Sequence, residues 1–336
     1  MNYKRHPLFI MMGLCVVLLT LAVINIGLGA VPIPPLRVIS SVIGLGEYNE
    51  TYIIVFYRLP RIVLALLVGG CLAVAGVIAQ SILRNPLAAP DTLGITGGAS
   101  IGAIGFSLLF PAASPSLTGI AAFIGGTIAA AAVYLLAYQR TGTEPARLAL
   151  VGVSVSAFCG SCVELFILKM NTNLQTSLLW LNGSLFGRTW QSVIDLLPWA
   201  VILITVTLFL AKTLDIFILG KESAIGLGIK TETATAILMG LSVLLTGASV
   251  AAAGMIGFVG LISPHIARKL VGTVHHYLIP TTTLIGAIML LFADCIGRGI
   301  IPPIEIPAGI VTALIGAPYF LFLLWKQSSK KGLLTR

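Results

Sequence analysis

Long apolar runs alternate with short polar or proline-containing breaks along nearly the whole chain of 336 residues. A helix needs about 20 apolar residues to cross the hydrocarbon core of a bilayer. The pattern therefore predicts an all-α integral membrane protein that forms a single transmembrane domain of ten helices. The ten predicted spans are residues 8–30, 61–83, 92–110, 117–138, 146–168, 192–211, 233–252, 254–271, 278–298 and 306–325.

The distribution of lysine and arginine predicts the orientation of these spans. If the N-terminus is cytoplasmic, 14 of the 20 lysines and arginines fall on the inner side, in keeping with the positive-inside rule. Both termini are therefore predicted to be cytoplasmic. The weakest boundary is "SVAAAGM" at 249–255, where only small residues separate the seventh and eighth spans. The six cations left on the outer side are Arg37, Arg58, Arg61, Lys169, Arg188 and Arg298.

The composition excludes a soluble domain. Hydrophobic residues make up 57% of the chain and charged residues only 9%, against about 25% charged residues in soluble domains. The net charge of +9 does not indicate nucleic acid, because the cations lie between apolar runs and not along one amphipathic face. Lipid is the expected partner of most of this surface.

The sequence carries no signature of an enzyme. No stretch reads G-x-x-x-x-G-K-[ST], and "LGKES" at 219–223 lacks the glycine-rich loop that would cradle phosphates. No H-E-x-x-H motif and no paired catalytic carboxylates occur. We therefore expect no ATP hydrolysis by this chain itself, and no catalytic, metal or cofactor site.

Two carboxylates are predicted at membrane depth, where an ionisable group needs a partner or water. Asp294 precedes Arg298 by four residues, and this spacing predicts an ion pair within one helix. Glu164 lies near the outer end of its span, from which its carboxylate can reach the interface. Two isolated acids are too few for a proton relay, which weighs against an ion-coupled transporter.

The longest polar stretch predicted on the inner side is "KTLDIFILGKESAIGLGIKTE" at 212–232. Within it, "ESAIGLG" predicts a short interfacial helix that ends at glycine. Two interpretations remain open for the stretch as a whole. It is either an amphipathic loop on the membrane surface or a docking surface for a cytoplasmic partner.

Several long motifs resemble FecCD/BtuC-type permeases, the membrane subunits of ABC importers for iron–siderophores, haem and vitamin B12. The similar stretches are "YRLPRIVLALLVGGCLAVAGVIAQSILRNPLAAPDTLGITGGASIGA" (57–103), "LGKESAIGLGI" (219–229), "GMIGFVGLISPHIARKLVG" (254–272) and "LFADCIGRGIIPPIEIPAGIVTALIGAPYFLFLL" (291–324). The resemblance implies a multi-pass protein of the bacterial cell membrane with ten helices. It also implies two permease subunits, either identical or related, two cytoplasmic ATP-binding subunits and an extracytoplasmic substrate-binding protein.

The resemblance gives the outer arginines a role. Arginines at these positions in the family engage glutamates of the substrate-binding protein, and the matching residues are Arg58, Arg61 and Arg298. The charge distribution places all three outside without reference to the family. An arginine fork suits bidentate binding of a carboxylate. The alternative is that these arginines only anchor helix ends at the membrane interface.

The resemblance also assigns the 212–232 loop to coupling with the ATP-binding subunits. The residues carried over are Gly220, Lys221, Glu222, Ser223, Ala224, Ile225, Gly226 and Leu227. The leading hypothesis is a permease for a ferric siderophore, of the ferric citrate or hydroxamate type, that works by alternating access. The alternatives are a vitamin B12 or haem permease, an ion-coupled secondary transporter and a purely structural membrane anchor.

Overall fold

The computed structural model describes residues 6–29, 33–43, 46–139, 143–169, 174–301 and 304–332. Within these ranges all regular structure is helical, apart from one isolated bridge between Ile301 and Ile304. The predicted all-α class is thus confirmed. The α-helices are α1 (Pro7–Gly27), α2 (Pro35–Val42), α3 (Tyr48–Ile53), α4 (Leu59–Ile82), α5 (Ile95–Leu109), α6 (Pro115–Ala137), α7 (Pro145–Lys169), α8 (Leu174–Leu181), α9 (Trp190–Phe209), α10 (Ala211–Ile218), α11 (Lys221–Gly226), α12 (Thr231–Ala253), α13 (Val259–Val271), α14 (His275–Gly299) and α15 (Ala308–Gly332).

Seven helices in the described ranges are long and apolar enough to cross a membrane. They are α1, the continuous helix Tyr48–Ile82 that contains α3 and α4, α6, α7, α9, α12 and α14. α5 and the apolar stretch Ala308–Phe322 of α15 are shorter apolar helices. Each of the ten predicted spans contains one helix, but the number of crossings and the side of the termini stay predictions.

The helix in the eighth predicted span is unusually short. α13 has 13 residues, which is a length of about 20 Å against a hydrocarbon core of about 30 Å. α12 ends at Ala253, and Gly254 has a φ of +76°, a conformation that favours glycine. Five residues without regular structure or in a bend therefore separate the two helices.

α4 lies at the centre of the helix bundle. It is apolar on nearly all sides, and 20 of its 24 residues are buried. A helix that is apolar all round is expected in the interior of a membrane bundle. α14 packs along it so closely that a Cβ at Gly69 would overlap the backbone carbonyl of Gly286. Glycine allows this approach where lipid supplies no hydrophobic drive for helix association.

Irregular segments meet beside α8. The N–H of Ser184 donates to the carbonyl of Ala253 at 2.8 Å, and the N–H of Gly309 donates to that of Gly183 at 3.0 Å. The N–H of Met255 donates to the carbonyl of Trp180 at 3.3 Å. Lipid cannot hydrogen-bond the polar groups of irregular backbone at membrane depth. These bonds supply the partners within the protein that such backbone needs.

Candidate functional site

The three predicted docking arginines lie together where α4 begins and α14 ends. This region, called the arginine end below, consists of Arg58, Arg61, Arg298 and their partners. The helix that carries Arg58 and Arg61 contains a π-helical turn, Ile54–Arg58, just before Pro60. Pro60 has no N–H to donate, and single π-helical turns are frequent at functional sites. All three arginines are buried, with exposed fractions of 5%, 8% and 6%.

Arg61 pairs with two carboxylates. Its Nε and Nη2 donate to Oδ1 of Asp294 at 2.9 and 2.7 Å, and its Nη1 donates to Oε2 of Glu305 at 2.6 Å. The predicted ion pair between Asp294 and Arg298 is therefore wrong. Asp294 accepts the fork of Arg61 from the neighbouring helix, because that approach gives two charge-assisted bonds.

Arg298 instead reaches the end of α1. Its Nη1 donates to Oδ1 of Asn25 at 2.7 Å, and its Nη2 donates to the carbonyl of Leu28. Arg58 donates to the carbonyl of Ile26 in the same turn. Carbonyls at a helix C-terminus lack partners within the helix and carry partial negative charge. The end of α1 therefore partly neutralises both arginines.

The arginine end keeps an excess of positive charge. Among the described residues, three guanidinium groups face two carboxylates, Asp294 and Glu305, and Arg298 Nε lies 4.0 Å from Glu305 Oε1. Asp294 is 1% exposed, whereas the side chain of Glu305 is 26% exposed. Glu305 is therefore the carboxylate of this pair that a partner from outside can reach.

The coupling residues form a different surface. α11 begins after Gly220, which has a φ of +112°, and the chain turns at Gly228 with a φ of +81°. The predicted short helix is thus confirmed. Ala224 is buried, whereas Ile225 and Leu227 are 55% and 61% exposed. An exposed apolar pair on a short helix suits a partner protein or a membrane surface.

The other residues predicted for coupling lie around the exposed apolar pair. Gly220 and Gly226 bound the helix, and Glu222 and Ser223 are exposed. Lys221 is its first residue. A cavity of about 220 Å³ lies beside Ala224, lined also by Arg84, Glu144, Phe217 and Glu232.

A larger cavity of about 650 Å³ lies among the irregular segments. Its polar lining includes Asp91, Thr96 and Asn182. Gly257 and Gly309 also line the cavity, with backbone atoms because they have no side chain. Glu164 does not contribute to it. That residue is exposed on α7, apart from the arginine end.

The sequence interpretation missed several residues of these regions. Glu305 and Asn25 complete the arginine end, and the partly exposed Asp215 forms a second polar cluster with the buried His275 and Ser81. Asn25 and Glu305 are single polar residues in apolar surroundings, a signal that could have singled them out. The grouping of Asp215, His275 and Ser81 needed the fold, because 60 residues separate the first two.

The fold defines a polytopic membrane protein with a charged cluster at the arginine end and an exposed apolar surface at α11. The model of the FecCD transport family matches residues 16–326, and the chain belongs to this family. Members of this family are permease subunits of ABC importers. The chain is accordingly a transporter subunit and not an enzyme, and it is a multi-pass protein of the bacterial inner membrane.

The curated relatives include two iron permeases. The chain is 44% identical over 328 residues, 98% of each chain, to the Fe(3+)-citrate import system permease protein YfmE of Bacillus subtilis (strain 168). It is 38% identical to the iron(3+)-hydroxamate import system permease protein FhuG of the same organism, covering 96% of this chain and 98% of that one.

Among solved structures, the chain is similar to an inward-facing conformation of an ABC transporter of the metal-chelate type. The TM-score is 0.83 at 33% sequence identity, covering 95% of this chain and 99% of the other. Membership of the family and this likeness imply ATP-hydrolysing and substrate-binding partners.

Proposed function

We propose that this chain is the permease subunit through which a ferric siderophore of the citrate or hydroxamate type enters the cell. The observation that carries the proposal is 44% identity to a ferric citrate permease over 98% of both chains. The hydroxamate permease at 38% identity supports the same class of substrate.

The transport step is alternating access between outward-open and inward-open states. Two permease subunits, two cytoplasmic ATP-binding subunits and one extracytoplasmic substrate-binding protein make up the importer. No cofactor of the chain's own takes part in this mechanism. Binding of ATP and of the loaded substrate-binding protein must favour one state over the other, since only differential affinity shifts such an equilibrium.

The arginine end is the docking site for the substrate-binding protein in this proposal. The arginines are not bare cations, because Asp294, Glu305 and the end of α1 already hold them. An incoming carboxylate therefore has to replace an internal partner. Glu305 is the partner to be displaced, because it is partly exposed and Asp294 is buried. Arg61 then exchanges one carboxylate for another at little net cost.

The opposite surface receives the ATP-binding subunits. Ile225 in α11 and Leu227 just after it supply exposed apolar contacts, and Glu222 adds a charge beside them. The 650 Å³ cavity lies on the substrate's route, because irregular segments and polar groups converge on it within the bundle. Its lining belongs mainly to α15 and the segment before α13.

Reconstitution tests the proposal. The full importer, with its ATP-binding subunits and substrate-binding protein, is placed in proteoliposomes and given radiolabelled ferric citrate, ferric hydroxamate, haem or cobalamin. We expect ATP-dependent accumulation of a ferric chelate that vanadate abolishes. Accumulation of haem or cobalamin alone would overturn the substrate class, and uptake by this chain without ATP would overturn the ABC mechanism.

A further inference from the structure

The helix α10 connects α11, called the coupling helix below, to the centre of the bundle. Only Leu219 and Gly220 separate α10 from α11. Ala211, Leu214 and Phe217 recur every third residue along α10 and are all buried. α10 is therefore fixed to the bundle along one face, while its C-terminal end carries α11.

A carboxylate of α10 holds the first turn of α14. Oδ1 of Asp215 accepts a hydrogen bond from the backbone N–H of His275 at 2.9 Å. The same oxygen lies 2.7 Å from Nδ1 of the His275 ring. The first N–H groups of a helix lack partners within the helix, and a carboxylate there is favoured by the helix dipole.

The imidazole of His275 continues the connection to α4. Its Nε2 lies 3.1 Å from Oγ of Ser81, near the end of α4. A second contact joins α10 directly to the turn that follows α4, because Nε of Arg84 donates to the carbonyl of Phe217 at 3.1 Å. Ser81 and Arg84 are three residues apart where α4 ends. α10 is thus bonded to both members of the α4–α14 pair.

The order Asp215–His275–Ser81 resembles a hydrolytic triad, but the burial of His275 and Ser81 excludes that role. Ser81 is 1% exposed and His275 is 0% exposed, so no substrate can approach the hydroxyl. Oγ of Ser81 also lies 2.8 Å from the carbonyl of Val77, to which it donates within its own helix. The cluster joins three helices, and its chemistry is that of a polar connection within the bundle.

The far ends of the same two helices carry the arginine end. Arg61 lies at the start of α4 and Ser81 near its end, about 30 Å away along the helix axis. The ion pair of Arg61 with Asp294 joins the helices at one end, and Ser81 with His275 joins them at the other. The close approach of Gly69 and Gly286 lies between these contacts.

We propose that Asp215, His275 and Ser81 are positioning residues that make α10 the element transmitting movement between the coupling helix and the α4–α14 pair. The inference rests on the proposed function and adds to it the route by which the two surfaces communicate. A displacement of α11 shifts α10, and the bonds of Asp215 and Arg84 pass this shift to α14 and α4. The α4–α14 pair then passes the displacement on to the arginine end.

The test compares Asp215→Ala with the control Asp195→Asn in the complete importer. Asp195 is an exposed carboxylate on α9 whose side chain bonds only to Gln191 among the described contacts, at 2.8 Å. For each complex, ATP hydrolysis is measured with and without the substrate-binding protein, alongside co-purification of the ATP-binding subunits. A purely structural role would lower yield or thermal stability and leave the stimulation ratio of the assembled complex unchanged.

We expect stimulation by the substrate-binding protein to fall about fivefold or more in Asp215→Ala, the range of a typical allosteric coupling energy. The assembled complex and the Asp195→Asn control should keep their ATP-binding subunits. Equal stimulation in both variants would overturn the inference. Failure of the unaltered importer to take up ferric citrate would instead overturn the substrate class, since stimulation is read without any chelate.

A milder variant keeps the test decisive if Asp215→Ala does not assemble. Ser81→Ala removes the hydroxyl that faces His275 and leaves α10 unchanged. We expect a smaller but measurable loss of stimulation in the assembled complex. Stimulation equal to that of the unaltered importer would overturn the role of the Ser81 connection and with it the continuous route.

Discussion

The arginine end and the coupling helix differ in how the same chain presents a surface to a partner. At the arginine end the charges are buried and held by Asp294, Glu305 and the end of α1. At α11 the apolar side chains of Ile225 and Leu227 are exposed and need no rearrangement. The charged side chains of the arginine end already have partners within the chain, whereas the apolar side chains at α11 are open to contact.

This difference has a physical basis. Buried charge is costly without a partner, so a cluster of arginines in a bundle has to be satisfied before any partner arrives. Apolar side chains on a short surface helix carry a much smaller penalty while exposed. Under the proposed function, binding at the arginine end requires an exchange of ionic partners, whereas binding at α11 requires none.

The largest effect is expected for Arg61→Ala. This change leaves Asp294 buried without its partner, and breaking a buried ion pair costs about 3–5 kcal/mol. We expect a strongly lowered thermal midpoint in detergent and loss of uptake. The control is Arg37→Ala, since Arg37 pairs with Glu50 at the surface and should change the midpoint little. Equal thermal midpoints for the two variants would show that the buried Arg61–Asp294 ion pair contributes no more to stability than a surface pair.

A smaller loss is expected where α4 and α14 meet. A Cβ at position 286 would overlap the carbonyl of Gly69, and overpacking of this kind costs about 1–3 kcal/mol. Gly286→Ala should lower the thermal midpoint. Gly240→Ala on α12 is the matched control, because a Cβ there meets nothing within 4 Å. An unchanged thermal midpoint in Gly286→Ala would contradict the close contact between α4 and α14.

A substitution at the end of the coupling helix should weaken binding of the ATP-binding subunits without lowering the stability of the fold. Replacing Leu227 by Asp places a charge in the proposed interface, and we expect co-purification of the ATP-binding subunits to fall about tenfold, or 1.4 kcal/mol. The thermal midpoint should stay constant, because Leu227 is 61% exposed. Ile43→Asp, an equally exposed apolar position elsewhere in the described chain, is the control. Undiminished co-purification would exclude Leu227 from the interface.

The sequence predicted much of this molecule because lipid imposes a simple pattern. Apolar runs of about 20 residues located α1, α4, α6, α7, α9, α12 and α14, and glycines located the end of α11. Sequence alone misassigned the partner of Asp294. A spacing of four residues favoured Arg298, but Arg61 on α4 is 233 positions away and gives better geometry.

The sequence also could not predict that the arginines are buried, because their partners are distant in the chain. The charge distribution assigned Arg58 and Arg61 to the outer side but could not show what neutralises them. Their partners come from α1, from Asp294 of α14 and from the segment before α15, all distant from α4 in the chain. The connection of Asp215 to His275 likewise depends on how α10 packs against α14.

The most direct test of the account is the affinity of the substrate-binding protein for the Glu305→Gln permease. If an incoming carboxylate replaces Glu305 at Arg61, neutralising Glu305 should strengthen binding. We expect about a fivefold lower Kd, because a partly exposed ion pair is worth up to about 1 kcal/mol. Glu50→Gln removes the same charge outside the arginine end and should change the Kd less. Unchanged or weaker binding by Glu305→Gln would contradict the exchange of partners at Arg61.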